Sequence, residues 1–364
     1  MGVCNYYDAM ERKASKRVAF VGAGALGGYV GGWFAHFGHD VTLIDPWPGH
    51  VEIIRARGLE LDGVTPEEKV VVKAAKTLHL TEVQSLARRP VDIAFVSMKS
   101  YDTAWATALI QPYLSPGGFV VSLQNCLNEE TIAGLVGWGR TVGVVASLIS
   151  VDLYEPGRVR RTIAKGGDKH TVFRVGEPHG RVTSRVEELV SWFARIDSAK
   201  ATTNLWGERW SKLVQNGMSN GVSAATGLTS NDCGRNDAIR RFQIRLAAEG
   251  VRVGRALGYQ MEKIRGLEPD RYPRADEGDA AAMAEVEAAL LPKPGANPRA
   301  DIQRPSMAQD ILKGRRTEIE AMNGFIAAKG AAAGVPAPSH AKLTDIVTRV
   351  ERGELKPSPG LLGA

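Results

Sequence analysis

At 364 residues, 44% hydrophobic and 24% charged, the chain is long enough for two domains of roughly 100–200 residues with real cores. No window holds the roughly 18 uninterrupted apolar residues of a membrane span. The net charge of +6 comes from Lys and Arg dispersed among acids, which argues against a nucleic-acid partner and fits a small anionic ligand.

Residues 1–17, MGVCNYYDAMERKASKR, form an extension that lacks the apolar stretch of a secretory signal, and Tyr6 stands where a myristoylation site needs Ser or Thr. Cys4, Cys126 and Cys233 make no CxxC pair and the seven histidines show no ligand spacing. Neither a metal nor a disulfide framework is expected, and a reducing, cytoplasmic setting is.

Val18-Ala-Phe-Val21 reads as a short buried strand. Gly22-Ala-Gly-Ala-Leu-Gly27 follows at once, and residues 28–37 read as a helix of small residues. Strand, GxGxxG and helix form the dinucleotide-binding arrangement. Gly22 permits the tight turn, Gly24 admits a pyrophosphate, and Gly27 lets helix and strand pack closely. With Ala25 and Leu26 they form the loop that would bring the anion to unpaired N–H groups. Residues 40–44 form a second strand, and Asp45 stands roughly 18 residues past Gly27, near the spacing at which a carboxylate accepts from ribose hydroxyls. A carboxylate there repels a 2′-phosphate, so NAD(H) is expected before NADP(H). The competing reading of Asp45 is a turn residue before Pro46.

Strands are expected at 91–99, 117–125 and 141–149 with helices between, giving an α/β, doubly wound Rossmann domain over residues 18–203. In such sheets ligands bind beyond the carboxyl ends of strands, where Lys99 and Asn125 fall. An amphipathic helix at 182–195 and a short extended piece close this half.

An all-α domain over 204–364 follows, with helices near 205–225, 236–258, 305–330 and 339–352. Trp206, Trp210, Leu213, Val214, Met218 and Val222 recur at helical spacing and face a core. Lys212, Asn216, Ser219, Asn220 and Ser223 make a second face of short amides and hydroxyls, the composition of a wet cleft. Ser306 with Gln309 reads as a capping box, at a helix start that would also welcome a substrate carboxylate. Glu318 follows Arg315 at i+3, where a surface ion pair would explain it.

These elements together resemble the ketopantoate reductase family. The resemblance rests on GAGALGG (22–28), MKSYDT (98–103), SLQNCLNEE (122–130), VGE (175–177), WSKLVQNGMSN (210–220) and SMAQDILKGRRTEIEAMNGF (306–325). It implies that Lys212 hydrogen-bonds the 2-oxo group and acts as general acid, and that Glu318 binds the substrate hydroxyl and steadies the lysine. It further implies that Asn216 and Asn220 orient substrate, that Asn125 stands between nicotinamide and substrate, and that Lys99 lies at the cofactor edge. Ser306 then meets the substrate carboxylate.

The chain departs from the family at three places. Asp45-Pro46-Trp47 stands where a basic residue favouring NADPH is usual, and Cys126 replaces a glycine. Residues 264–300 look like a charged insertion with one short helix near 278–291, placed as a flap or an interface element. The implied reaction is NAD(P)-dependent reduction of a 2-oxo acid such as 2-dehydropantoate, possible in a homodimer. The alternatives are NAD-dependent oxidation of a bulkier 2-hydroxy acid and a non-catalytic cofactor sensor.

Overall fold

The computed structural model of the protein describes residues 16–292 and 304–363. Residues 1–15 of the expected extension and the end of the 264–300 segment lie outside the described residues. The chain divides after Leu205 into two compact units.

The first unit is built on an eight-stranded sheet. Its strands are β1 (Arg17–Val21), β2 (Asp40–Asp45), β5 (Lys76–His79), β6 (Val91–Val96), β7 (Leu114–Ser122), β8 (Thr141–Ala146), β11 (Phe173–Gly176) and β12 (Ala199–Ala201). They lie in the order β12-β11-β8-β7-β6-β1-β2-β5, and every neighbouring pair is parallel except β11 with β8. The chain builds outward from β1 through β2 and then returns to the other side of β1 with β6. That reversal leaves a crevice beyond the carboxyl ends of β1 and β6. Alternation along β1 sends Val18 and Phe20 to one core and Ala19 and Val21 to another. Helices α1 (Ala25–His36) and α5 (Ser184–Phe193) supply the first core, α3 (Thr103–Ile110) and α4 (Glu129–Val136) the second. The strands expected at 91–99, 117–125 and 141–149 each end three residues earlier, at Val96, Ser122 and Ala146, and α1 begins at Ala25 rather than 28.

A second sheet was not legible in the sequence. It contains β3 (Leu59–Asp62), β4 (Val70–Val72), β9 (Val151–Glu155) and β10 (Arg158–Arg161), ordered β4-β3-β10-β9. It follows α2 (Pro48–Arg57) and packs against α1, so the glycine-rich helix is covered on both sides.

The helical unit contains α6 (Leu205–Gly217), α7 (Asn220–Thr226), α8 (Ser230–Arg235), α9 (Asp237–Ala256), α10 (Arg271–Asp276), α11 (Ala280–Leu290), α12 (Ser306–Leu312), α13 (Phe325–Ala332) and α14 (Pro338–Glu351). α9 is its axis: α8, α10, α11, α13 and α14 all pack on it. α6 meets α9 closely, with the buried Trp210 indole donating to Gly250 O at 2.9 Å. The expected single helix over 205–225 is broken at Met218-Ser219, where Ser219 leaves helical dihedrals. The expected helix over 305–330 is also interrupted. α12 ends at Leu312, Gly314 turns with a φ of +60°, and the chain resumes as a π-helical turn, Glu320–Gly324, leading into α13. Among the described residues no helix is long and apolar enough to cross a membrane, and no group of His, Cys, Asp or Glu could hold a metal ion.

Candidate active site

The glycine turn follows directly from β1. Gly22 has a φ of +104°, and a Cβ there would press on Met98 Sδ at 2.8 Å and on the Ser97 backbone at 2.9 Å; only glycine fits both demands. A Cβ on Gly27 would collide with Gly22 O and Ser97 Oγ, whereas one on Gly24 would enter open space. Gly24 caps α1 without any side-chain bond, and the first turn of α1 holds no acid. The turn thus offers backbone N–H groups and the positive end of a helix to an open volume, which fits a pyrophosphate. Gly22, Gly24, Ala25, Leu26 and Gly27 would hold that part of a dinucleotide.

Asp45, the last residue of β2, is 7% exposed. Its Oδ2 accepts the Ala23 N–H at 2.9 Å and its Oδ1 the Trp47 N–H at 2.9 Å. The carboxylate therefore forms the turn around Pro46 and at the same time lies against the glycine loop.

The loop after β6 joins the glycine turn to the loop after β7. Ser97 Oγ donates to Gly22 O at 2.6 Å, and Gln124 Nε2 donates to Met98 O and Thr103 Oγ1, each at 2.9 Å. Asn128 Nδ2 donates to Asn125 O at 2.7 Å. Lys99 and Asn125, both half-buried, thus stand on two interlocked loops beyond neighbouring strand ends. Cys126, 5% exposed, follows Asn125 with a φ of +62°. Ser97, Gln124 and Asn128 were not among the candidates drawn from the sequence; their one signal is a polar side chain at or soon after the end of an apolar strand run.

The other candidates lie in the helical unit. Lys212 and Asn216 are half-buried on α6, while Asn220 (9% exposed) and Ser223 (1%) are on α7. The polar stripe expected on one helix is therefore split between two, because the break at Ser219 intervenes. α12, which Ser306 begins, packs on α7. The capping box is not formed: Pro305 occupies the cap position, Ser306 is exposed, and Gln309 Nε2 donates to Arg304 O at 2.9 Å. Proline carries the cap backbone, so the serine moves one position into the helix.

Glu318 is only 4% exposed, which overturns a surface ion pair with Arg315 as its explanation. The next residue, Ile319, reaches to 3.0 Å from where a Cβ on Gly221 would stand, bringing the Glu318 turn beside the start of α7. Asn323, in the π-helical turn, donates through Nδ2 to Gly217 O at 2.8 Å and pairs with His340 Nδ1 at 3.0 Å. It fastens the end of α6 from behind.

The 264–300 segment is docked within its own unit as far as it is described. Just before it the Glu262 N–H donates to Ser211 Oγ at 2.7 Å, beside Lys212, and within it the Tyr272 hydroxyl donates to Ile264 O at 2.8 Å. Arg252 on α9 pairs with Asp276 and Glu277, each at 2.9 Å. It contributes two helices, α10 and α11, rather than one.

Comparison with known proteins covers both units. The family model "Ketopantoate reductase PanE/ApbA" matches residues 18–173, and "Ketopantoate reductase PanE/ApbA C terminal" matches 204–351. A 2-dehydropantoate 2-reductase of Pyrococcus horikoshii is 30% identical over 85% of this chain and 89% of its own. One from Archaeoglobus fulgidus is 27% identical over 93% and 99%. Among solved structures, a PanE/ApbA family ketopantoate reductase from Ralstonia eutropha JMP134 aligns with a TM-score of 0.74 at 28% identity, covering 93% of this chain and 99% of its own. A D-mandelate dehydrogenase with NADH and anilino(oxo)acetate shares the fold, with a TM-score of 0.75 at 22% identity and coverage of 93% and 98%.

Proposed function

The chain belongs to the ketopantoate reductase family, and on that premise we propose that it is an NAD(P)H-dependent oxidoreductase reducing 2-dehydropantoate or a related 2-oxo acid to the 2-hydroxy acid. A bound dihydronicotinamide supplies the hydride, which carries two electrons to C2. The protein's part is to hold the acid, stabilise the charge that develops on the carbonyl oxygen, and deliver one proton to it.

Lys212 takes the last two tasks. Its ammonium donates a hydrogen bond to the 2-oxo group and passes a proton to the oxygen as the carbonyl becomes an alcohol. Glu318 accepts from the substrate hydroxyl and steadies the lysine. Asn216 and Asn220 orient the substrate, Ser306 meets its carboxylate, and Asn125 with Lys99 lines the nicotinamide side. The observation that carries this reading is the burial of Glu318 beside the start of α7. A carboxylate is rarely withdrawn from water without a charged or hydrogen-bonding task. We further assign NAD(H) as the preferred cofactor, because the charge of Asp45 lies beside the glycine loop, where it would oppose a 2′-phosphate.

The test is the initial rate of 2-dehydropantoate reduction by the full chain, with NADH and NADPH side by side. Turnover that is faster with NADH is expected. Tight NADH binding with no turnover of 2-dehydropantoate or other 2-oxo acids would refute the reductase.

A further inference from the structure

Ala23, inside the glycine loop, is held through its backbone on both sides. Its N–H donates to Asp45 Oδ2 at 2.9 Å, and its carbonyl lies 2.9 Å from His50 Nε2. The far side of the imidazole decides which nitrogen carries the hydrogen. The Gly157 N–H donates to His50 Nδ1 at 2.9 Å, so Nδ1 is the acceptor and Nε2–H donates to Ala23 O. His50 is fully buried, and the Trp47 indole stacks over it at 5.8 Å between centroids and 16° from parallel.

The partner on the far side is itself fixed. Gly157 joins β9 to β10 with a φ of +75°, and a Cβ there would collide with the Ile53 side chain on α2. Its carbonyl accepts the Glu60 N–H at 2.8 Å. The second sheet therefore presents a rigid N–H to the imidazole, and the imidazole presents a rigid N–H to the glycine loop.

We infer that His50 is a positioning residue for cofactor binding. With Asp45 it clamps the backbone on both sides of Ala23, so that the N–H groups of the loop are set for a pyrophosphate before one arrives. The inference rests on the nicotinamide reading above and adds a residue outside the glycine motif. Without the imidazole donor the Ala23 carbonyl loses its partner, and the loop must be ordered at the expense of binding.

Gln and Asn separate the two contacts. A Gln side chain extends an amide N–H as far as Nε2 of the imidazole, whereas Asn reaches only as far as Nδ1. The experiment measures dissociation constants for NADH and NADPH by cofactor fluorescence, with kcat at saturating cofactor and thermal unfolding, on the full chain as wild type, His50→Ala, His50→Asn and His50→Gln. His50→Ala and His50→Asn are expected to raise both dissociation constants about five- to tenfold, the loss of one hydrogen bond. His50→Gln is expected to stay within about twofold of wild type, and kcat within about twofold throughout.

Unchanged dissociation constants in all variants overturn the clamp and leave the reductase reading intact. So does His50→Gln weakened as much as His50→Ala, since the donor would then be irrelevant. If His50→Ala does not fold, the contrast of His50→Asn with His50→Gln decides alone. Absence of cofactor binding by the wild type overturns the reductase reading, and the clamp with it.

Discussion

Cys126 holds a left-handed backbone at a φ of +62°, a conformation that costs a non-glycine residue on the order of 1 kcal/mol. Cys126→Gly is therefore expected to raise the urea unfolding free energy by about 1 kcal/mol. A loss of stability would mean that the contacts of the buried thiol outweigh the strain. At Asp45 the prediction concerns selectivity. Asp45→Asn disturbs the Ala23 contact for both cofactors alike, but it removes the charge that only a 2′-phosphate meets. The NADH-to-NADPH ratio of kcat/KM should fall by about tenfold; an unchanged ratio would show that Asp45 serves the loop and does not read the ribose. Residues were legible where backbone geometry dictates them. Gly22 and Gly27 follow from a turn that rejects a Cβ, and Asp45 from its place at the end of β2. His50 was not legible, because its partner Gly157 lies more than a hundred positions away and no local pattern marks it.

The junction of α6 and α7 is the element-scale counterpart of the glycine loop. Asn323 Nδ2 bonds Gly217 O from a π-helical turn, and its other contact is His340 Nδ1. Asn323→Ala leaves both partners buried and unsatisfied, so equilibrium unfolding should show a loss of about 2–4 kcal/mol. A cost under half a kcal/mol would mean the junction relaxes freely. The break at Ser219 and the turn at Gly314 escaped the sequence reading for different reasons. Polar and apolar positions keep helical phase across Ser219, so periodicity alone sees one helix. Gly314 after Leu312 is an ordinary helix stop signal, overlooked because apolar residues resume beyond it. The second sheet was illegible because β3 and β10 are short, charged and far apart in the chain; only their pairing reveals a core face at Leu61 and Val159.

The whole molecule carries a buried histidine that sets its acid stability. His340 is fully buried, its Nε2 donates to Leu246 O at 2.8 Å, and burial pushes its pKa down to about 4 from 6.5. Above about pH 6.5 both folded and unfolded chains hold it neutral. As pH falls toward 4 the unfolded chain takes up a proton that the native state refuses, and stability declines by about 3 kcal/mol. Asp197 and Glu177 act in the same direction at lower pH. Burial alone would raise both. Backbone N–H groups and Arg161 outweigh it at Asp197, and Arg185 and Thr183 at Glu177, so both pKa values lie below their usual range. Their stabilisation is present above the unfolded carboxylate pKa values and is lost as pH falls through the folded ones. Unfolding midpoints taken between pH 7.5 and 4 should fall steadily, and His340→Gln should flatten the upper part of that slope. A midpoint independent of pH would contradict the assignment of His340 as a neutral buried group.

The two-domain plan itself was readable from the order of strands, glycine motif and helices, since each half has its own hydrophobic period. The chemistry is tested by a single comparison: single-turnover reduction of 2-dehydropantoate by wild type and Lys212→Ala, with NADH affinity measured on both. The account predicts a fall in rate of about 10²–10⁴-fold with NADH affinity unchanged. A Lys212→Ala variant that reduces the substrate at nearly the wild-type rate would contradict it.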